Sequence, residues 1–190
     1  METVKTNANN EALKNGLGLG LCMLFLTILS TYIIVGTDSL LTLTLAPIII
    51  SIIIPIVISI FFTKDLRKKV GGYWTFKEAV SKIFIMFLIS FAISTAGNVV
   101  YSKYISPGLQ ERLQDNIEGL TSTMMLDQGM ESDVVDTQIQ KMRDDFDKRN
   151  NGTFMQQAQG YLIAIIFVFI ISLIFAGIFK KNPPLFVNED

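Results

Sequence analysis

Four apolar runs, residues 16–36, 40–62, 83–101 and 160–179, contain no Asp, Glu, Lys or Arg, and they constrain the fold more than any other feature of the 190-residue chain. The first would be about 31 Å long as a helix, which is one hydrocarbon core. In lipid no water satisfies backbone N–H and C=O groups, so each run must bond to itself as a helix. The Ile-rich block 48–54 makes the point sharply. In water its β-branched side chains would favour pleated sheet, but an unpaired strand in lipid strands several polar groups, and the helix wins. A signal peptide is the competing reading of the first run, but the run is longer than a typical h-region and no clear small-x-small cleavage site follows, so an uncleaved helix is expected. The runs predict spans over about residues 12–36, 40–63, 76–104 and 158–180. Pro47 and Pro55 each remove one helical hydrogen bond from the second and tend to kink it. The first ten residues are polar and are expected to form a frayed tail.

Orientation rests on residues 63–82. Lys64, Arg67, Lys68 and Lys69 follow the second run, and Lys77 and Lys82 precede the third. Short connections rich in Lys and Arg remain cytoplasmic. With four spans both termini are then cytoplasmic, leaving ten of the 16 basic residues inside and eleven of the 17 acidic ones outside. Gly71 and Gly72 permit a turn. Thr75 and Glu78 have capping-box spacing, which starts a helix at Phe76. Tyr73 and Trp74 are amphipathic rings suited to a headgroup layer. Gly71, Gly72, Tyr73, Trp74 and Phe76 are therefore candidates for an interface with a cytoplasmic partner as well as for a helix start.

Between the third and fourth runs, Ser106 and Pro107 read as an N-cap and first helical residue. Leu109, Leu113, Ile117, Leu120 and Met124 then form one apolar stripe. After Gly129, Ser132 or Asp133 caps a second helix with the stripe Val135, Ile139, Met142 and Phe146, ending at Asn150, Asn151 and Gly152. Two striped helices joined by a short loop pair as an antiparallel hairpin, over about residues 107–150 and outside the cytoplasm on this topology. Their remaining faces, with Glu111, Asp115, Glu118, Asp133, Asp136, Asp144, Asp145 and Asp147, are acidic and solvated. Leu109, Leu113, Ile117, Ile139, Met142 and Phe146 are candidate partner-interface residues.

Small residues mark helix contacts within the spans. Gly16 and Gly20 form a G-x-x-x-G pair, and Ser90, Ser94, Ala92, Ala96 and Gly97 bring small side chains to the third run. With Gly18 the glycines superficially match a dinucleotide loop, but no strand precedes them. Asn98 is the most polar residue in the apolar runs, and an interhelical hydrogen bond is its expected use. Cys22, the one cysteine, is a packing or lipid-facing residue.

Several chemistries are excluded. The chain has no histidine, which removes the commonest general base and every Ser/His or Cys/His pair. No charge lies in any of the four apolar runs to mark a proton relay. The hairpin carboxylates lack EF-hand spacing, so no metal and no cofactor are expected. No basic face points to nucleic acid. What remains is an all-α integral membrane four-helix bundle carrying a helical hairpin. Its expected role is a non-catalytic subunit or scaffold in contact with lipid and with another membrane protein or further copies of itself. The alternative is a small oligomeric channel or transporter with Pro47, Pro55 and Asn98 along its path.

Gly71, Gly72, Tyr73, Phe76, Glu78 and Ala79, then Tyr101, Ile105, Ser106 and Pro107, then Gly129 with Met130 and the pair Lys180 and Lys181, resemble the bacterial domain of unknown function 4199 family over nearly the whole chain. The resemblance implies a four-helix inner-membrane protein of Gram-negative bacteria with no established activity. It also implies an accessory role beside a family-2 membrane glycosyltransferase.

Overall fold

The computed structural model describes residues 2–151 and 153–182. Helices α1 (Glu2–Val35), α2 (Leu40–Ile48), α3 (Ile54–Lys69), α4 (Phe76–Val100), α5 (Leu109–Asp127), α6 (Ser132–Asn151) and α7 (Phe154–Phe179) follow one another, and no strand occurs among the described residues. Four stretches, Ala8–Val35, Leu40–Lys69, Phe76–Ile105 and Ala158–Phe179, are long and apolar enough to cross a membrane. The fold is the expected all-α membrane bundle with a helical hairpin, α5 and α6, between its third and fourth spans. Much of its apolar surface faces outward: Leu21, Phe25, Leu41, Phe61, Leu162 and Ile178 are each more than 60% exposed. In lipid such surface carries no hydrophobic penalty.

The elements differ from expectation at their ends. Helix α1 starts at Glu2 rather than after a frayed tail; Asn9 accepts a hydrogen bond from Lys82, and Glu11 pairs with Lys14 and Lys69. Helix α3 continues through Lys69, so Arg67, Lys68 and Lys69 lie in its last turn rather than in a loop. Cations there complement the negative end of the helix dipole. The stretch between Pro47 and Pro55 is a five-residue π-helical turn, Ile49–Ile53, in which Ile54 donates to Ile49 O five residues back. Widening the turn re-pairs backbone groups beside prolines that have no N–H. A second π turn, Tyr101–Ile105, extends α4. Ser106 N donates to Tyr101 O, so Ser106 closes the third span instead of capping α5, which starts at Leu109 after Gly108 at φ +84°. Helix α6 opens with Glu131 in the cap position, its carbonyl accepting from Val135. The expected stop at Gly152 lies outside the described residues.

The chain divides into two compact units. The first comprises, among the described residues, 2–23, 55–95 and 164–182. Its core joins Ala12 and Leu19 of α1, Leu66 of α3, Ala79, Ile83, Met86 and Phe87 of α4, and Phe175, Ala176 and Phe179 of α7, together with Trp74. Phe87 meets Phe175 edge to face at 5.1 Å, as Phe84 meets Phe169 at 5.5 Å. Gly16 and Gly20 let α1 approach α4 closely, as the G-x-x-x-G pair predicts. A Cβ at Gly16 would stand 2.8 Å from Met86 O, and one at Gly20 would stand 3.0 Å from Ser90 O.

The second unit comprises residues 24–54 and 96–163. Leu24 of α1 fills the space left by Gly97 of α4, and the Tyr32 and Tyr101 hydroxyls are 2.8 Å apart. Asn116 of α5 donates to Thr37 O in the α1–α2 turn. Helices α5 and α6 pair as expected, burying Leu109 and Val135.

Candidate functional site

Helix α7 ends without a glycine cap, and its final carbonyl, Phe179 O, has no partner within the helix. It finds one far away in sequence. Trp74 Nε1 donates to Phe179 O at 2.8 Å and Arg67 donates to the same oxygen at 3.3 Å. Trp74 N donates to Lys181 O and Lys181 N to Trp74 O, a two-bond antiparallel bridge, while Lys181 Nζ lies 5.0 Å from the centre of the Tyr73 ring. The connection that follows α3 is thus a clasp on the end of α7. Its geometry begins with Gly72 N donating to Arg67 O at 2.8 Å, the six-to-one bond of a Schellman ending. Gly71 and Gly72 stand at φ +107° and +81°. Thr75 N then donates to the Glu78 carboxylate at 2.9 Å and Glu78 N donates to Thr75 Oγ1 at 3.4 Å, which completes the predicted capping box and starts α4 at Phe76.

Trp74 therefore does not present its ring to a headgroup layer. It is 2% exposed, because its indole N–H satisfies a carbonyl that no other part of α7 reaches. Tyr73 and Phe76 remain exposed. Beside the clasp lies an open cavity of about 450 Å³, walled by Trp74, Lys77, Ser81, Lys82 and Ala8 among others. A polar cluster in the same unit ties α1 to α3. Asn15, 4% exposed, donates to Asp65 at 2.9 Å and to Phe62 O at 3.3 Å. Lys69 bonds Asn15 Oδ1 at 2.9 Å and Asp65 at 2.7 Å. Sequence reasoning passed over this cluster, although the spacings Glu11 to Asn15 and Asp65 to Lys69 place each pair on one helix face.

In the hairpin, Leu113, Ile117, Ile139, Met142 and Phe146 are half-buried and Leu109 is buried. Ile117, Met142 and Phe146 line a cleft of about 320 Å³ between α5 and α6. Glu118 is a correction. Its place on the acidic, solvated face does not hold: it is 6% exposed, and its carboxylate accepts from Arg143 at 2.5 Å and from Gln114 at 2.7 Å. A carboxylate can be buried there because Arg143, 25 residues on, supplies the opposite charge. At the hairpin's turn Met124, Leu126, Met130 and Val134 stay 40–52% exposed.

The Arg143 bond holds the Glu118 carboxyl below its ordinary range, with Gln114 adding to the effect. A folded-state pKa below the unfolded one means that the unfolded chain binds more protons. Hairpin stability from this pair is therefore complete above the unfolded value of about 4.3 and is lost as pH falls through the depressed folded value. Arg143→Ala is expected to cost about 1–3 kcal/mol by leaving a buried acceptor unpaired and to abolish that acid step. Hydrogen exchange of α5 and α6 against pH measures both, and an unchanged acid profile in the variant would remove the pair as its source.

Asn98 is half-buried and makes no side-chain hydrogen bond among the described residues. It lies about 100° around the helix from its neighbour, Gly97, whose face is the one filled by Leu24. Asn15 makes the kind of interhelical bond expected of it, from α1 to α3, while Asn116 ties α5 to the α1–α2 turn. A second capping box was also passed over: Thr153 N donates to Gln156 Oε1 at 2.9 Å at the start of α7, and the T-x-x-Q spacing was its signal.

These features define a class, the multi-pass helical membrane proteins, here with a clasped four-helix unit and a helical hairpin between the third and fourth spans. Within it the chain belongs to the family described as protein of unknown function (DUF4199), whose model matches residues 14–181. No curated protein and no solved structure matches the chain.

Proposed function

We propose that the protein is a non-catalytic subunit or scaffold that holds a partner protein in a bacterial inner membrane, with both termini in the cytoplasm and the hairpin on the opposite side. A membrane glycosyltransferase is the partner implied by the family resemblance. The observation that carries the reading is the exposed apolar turn of the hairpin, Met124, Leu126, Met130 and Val134, which lies outside the four candidate spans. The excess of basic over acidic residues in positions 63–82, six against two, supports the orientation.

Affinity purification of the full chain from native membranes in mild detergent is expected to enrich one membrane protein in fixed ratio. Replacing the four turn residues by Gln should abolish that enrichment without changing the chain's own melting. Repeated recovery of the chain alone would overturn the proposal. In the same membranes, Asp127→Cys on a Cys22→Ser background should react with an impermeant thiol reagent in intact cells; reaction only after the inner membrane is breached would reverse the topology.

A further inference from the structure

We infer that the cavity beside the clasp holds the phosphate of an anionic phospholipid. The inference does not rest on the proposed partner; it needs only that the spans lie in a membrane. Lys77 and Lys82 contribute to the cavity wall from the first two turns of α4, and Ser81 adds a hydroxyl between them. Lys77 has no ion-pair partner among the described residues, and Lys82 is engaged only with the neutral amide of Asn9. Among the described residues neither cation is ion-paired with a carboxylate at the cavity wall. The one carboxylate in the wall, Glu78, has an oxygen drawn into the capping box by Thr75 N at 2.9 Å and Thr75 Oγ1 at 3.0 Å. The opening of α4 adds the positive end of a helix dipole, which favours an anion.

The position selects a lipid over a soluble phosphate. Ser81 and Lys82 immediately precede the apolar part of the third span, which starts at Ile83, so the two ammonium groups stand where the hydrocarbon core gives way to headgroups. A phosphodiester held there can leave its acyl chains along the span, whereas a free phosphate has only the charge. The surrounding positions 63–82, with six basic residues against two acidic, raise the local concentration of anionic headgroups. At about 450 Å³ the cavity has room for a glycerophosphate group.

The full chain in neutral detergent is titrated with phosphatidylglycerol, phosphatidylcholine or inorganic phosphate, and bound lipid is counted by native mass spectrometry alongside the melting temperature. Phosphatidylglycerol is expected to bind one per chain and raise the melting temperature; phosphatidylcholine and inorganic phosphate are expected to do neither. Each lysine removed should weaken binding about fivefold, from the roughly 1 kcal/mol that a basic residue near anionic lipid contributes. Lys77→Gln, which breaks no hydrogen bond or ion pair among the described residues, is the primary variant, and Lys77→Gln with Lys82→Gln should lose about 25-fold on the same basis. Lys64→Gln with Lys68→Gln, in the same basic stretch but not in the cavity wall, serves as the comparison. Equal weakening by that pair would reduce the effect to diffuse attraction and overturn the site. Phosphatidylcholine binding as tightly would overturn it too, and an equal effect of inorganic phosphate would overturn the lipid assignment.

Discussion

Trp74→Ala is expected to lower stability by about 3–5 kcal/mol, the range for removing a buried large aromatic side chain, and to loosen the end of α7 in particular. Two losses combine at this residue. The ring is a member of the core formed by α1, α3, α4 and α7, and its N–H is the closer of two donors on Phe179 O. Trp74→Phe separates them, since it keeps most of the apolar contact and removes the donor. Arg67 remains on the carbonyl, so that variant is expected to cost about 1 kcal/mol. Melting in detergent gives the totals, and hydrogen exchange gives the location: residues 176–181 should exchange faster in both variants while α5 and α6 stay unchanged. Uniform acceleration across the chain would mean that the clasp is not a local device. Trp74 is also the only tryptophan. The native protein should therefore emit at the shorter wavelengths of a buried indole and shift to longer ones on unfolding.

The second large effect concerns the contact of α1 with α4. Gly16→Ala and Gly20→Ala are each expected to cost about 1–3 kcal/mol, the usual penalty for forcing extra atoms into a close-packed contact. At Gly16 the nearest atom is Met86 O at 2.8 Å, and at Gly20 it is Ile93 Cβ at 2.9 Å with Ser90 O at 3.0 Å; neither a carbonyl nor a Cβ can move away without disturbing its helix. Gly97→Ala meets Leu24 Cδ2 at a shorter nominal distance, yet it should cost less, because the end of a leucine side chain can move to another rotamer. Gly160→Ala and Gly177→Ala meet nothing within 4 Å. Those two should be neutral or slightly stabilising, since alanine is the better helix former. Melting temperatures ranked in that order would confirm backbone approach as the reason for the first two glycines. A larger loss at Gly97 than at Gly16 would contradict it.

Residues 16–36, 40–62, 83–101 and 160–179 determined the class of this protein by themselves. A charge-free run of lipid length has one way to satisfy its own backbone, and that constraint needs no knowledge of neighbours. The capping box at Thr75 and Glu78, the close contact through Gly16 and Gly20, and the pairing of α5 with α6 were legible for the same reason: each depends on residues a turn or two apart. Tertiary structure alone decided the fates of Trp74, Glu118 and Asn98. Trp74 turns inward to a carbonyl 105 residues away. Glu118 is buried by virtue of an arginine on another helix, and Asn98 misses the contact face by one residue. Hydrogen bonds and ion pairs act over about 3 Å, so a side chain's role follows from whatever group the fold brings within that distance, and the spacing of residues along the chain does not contain that information.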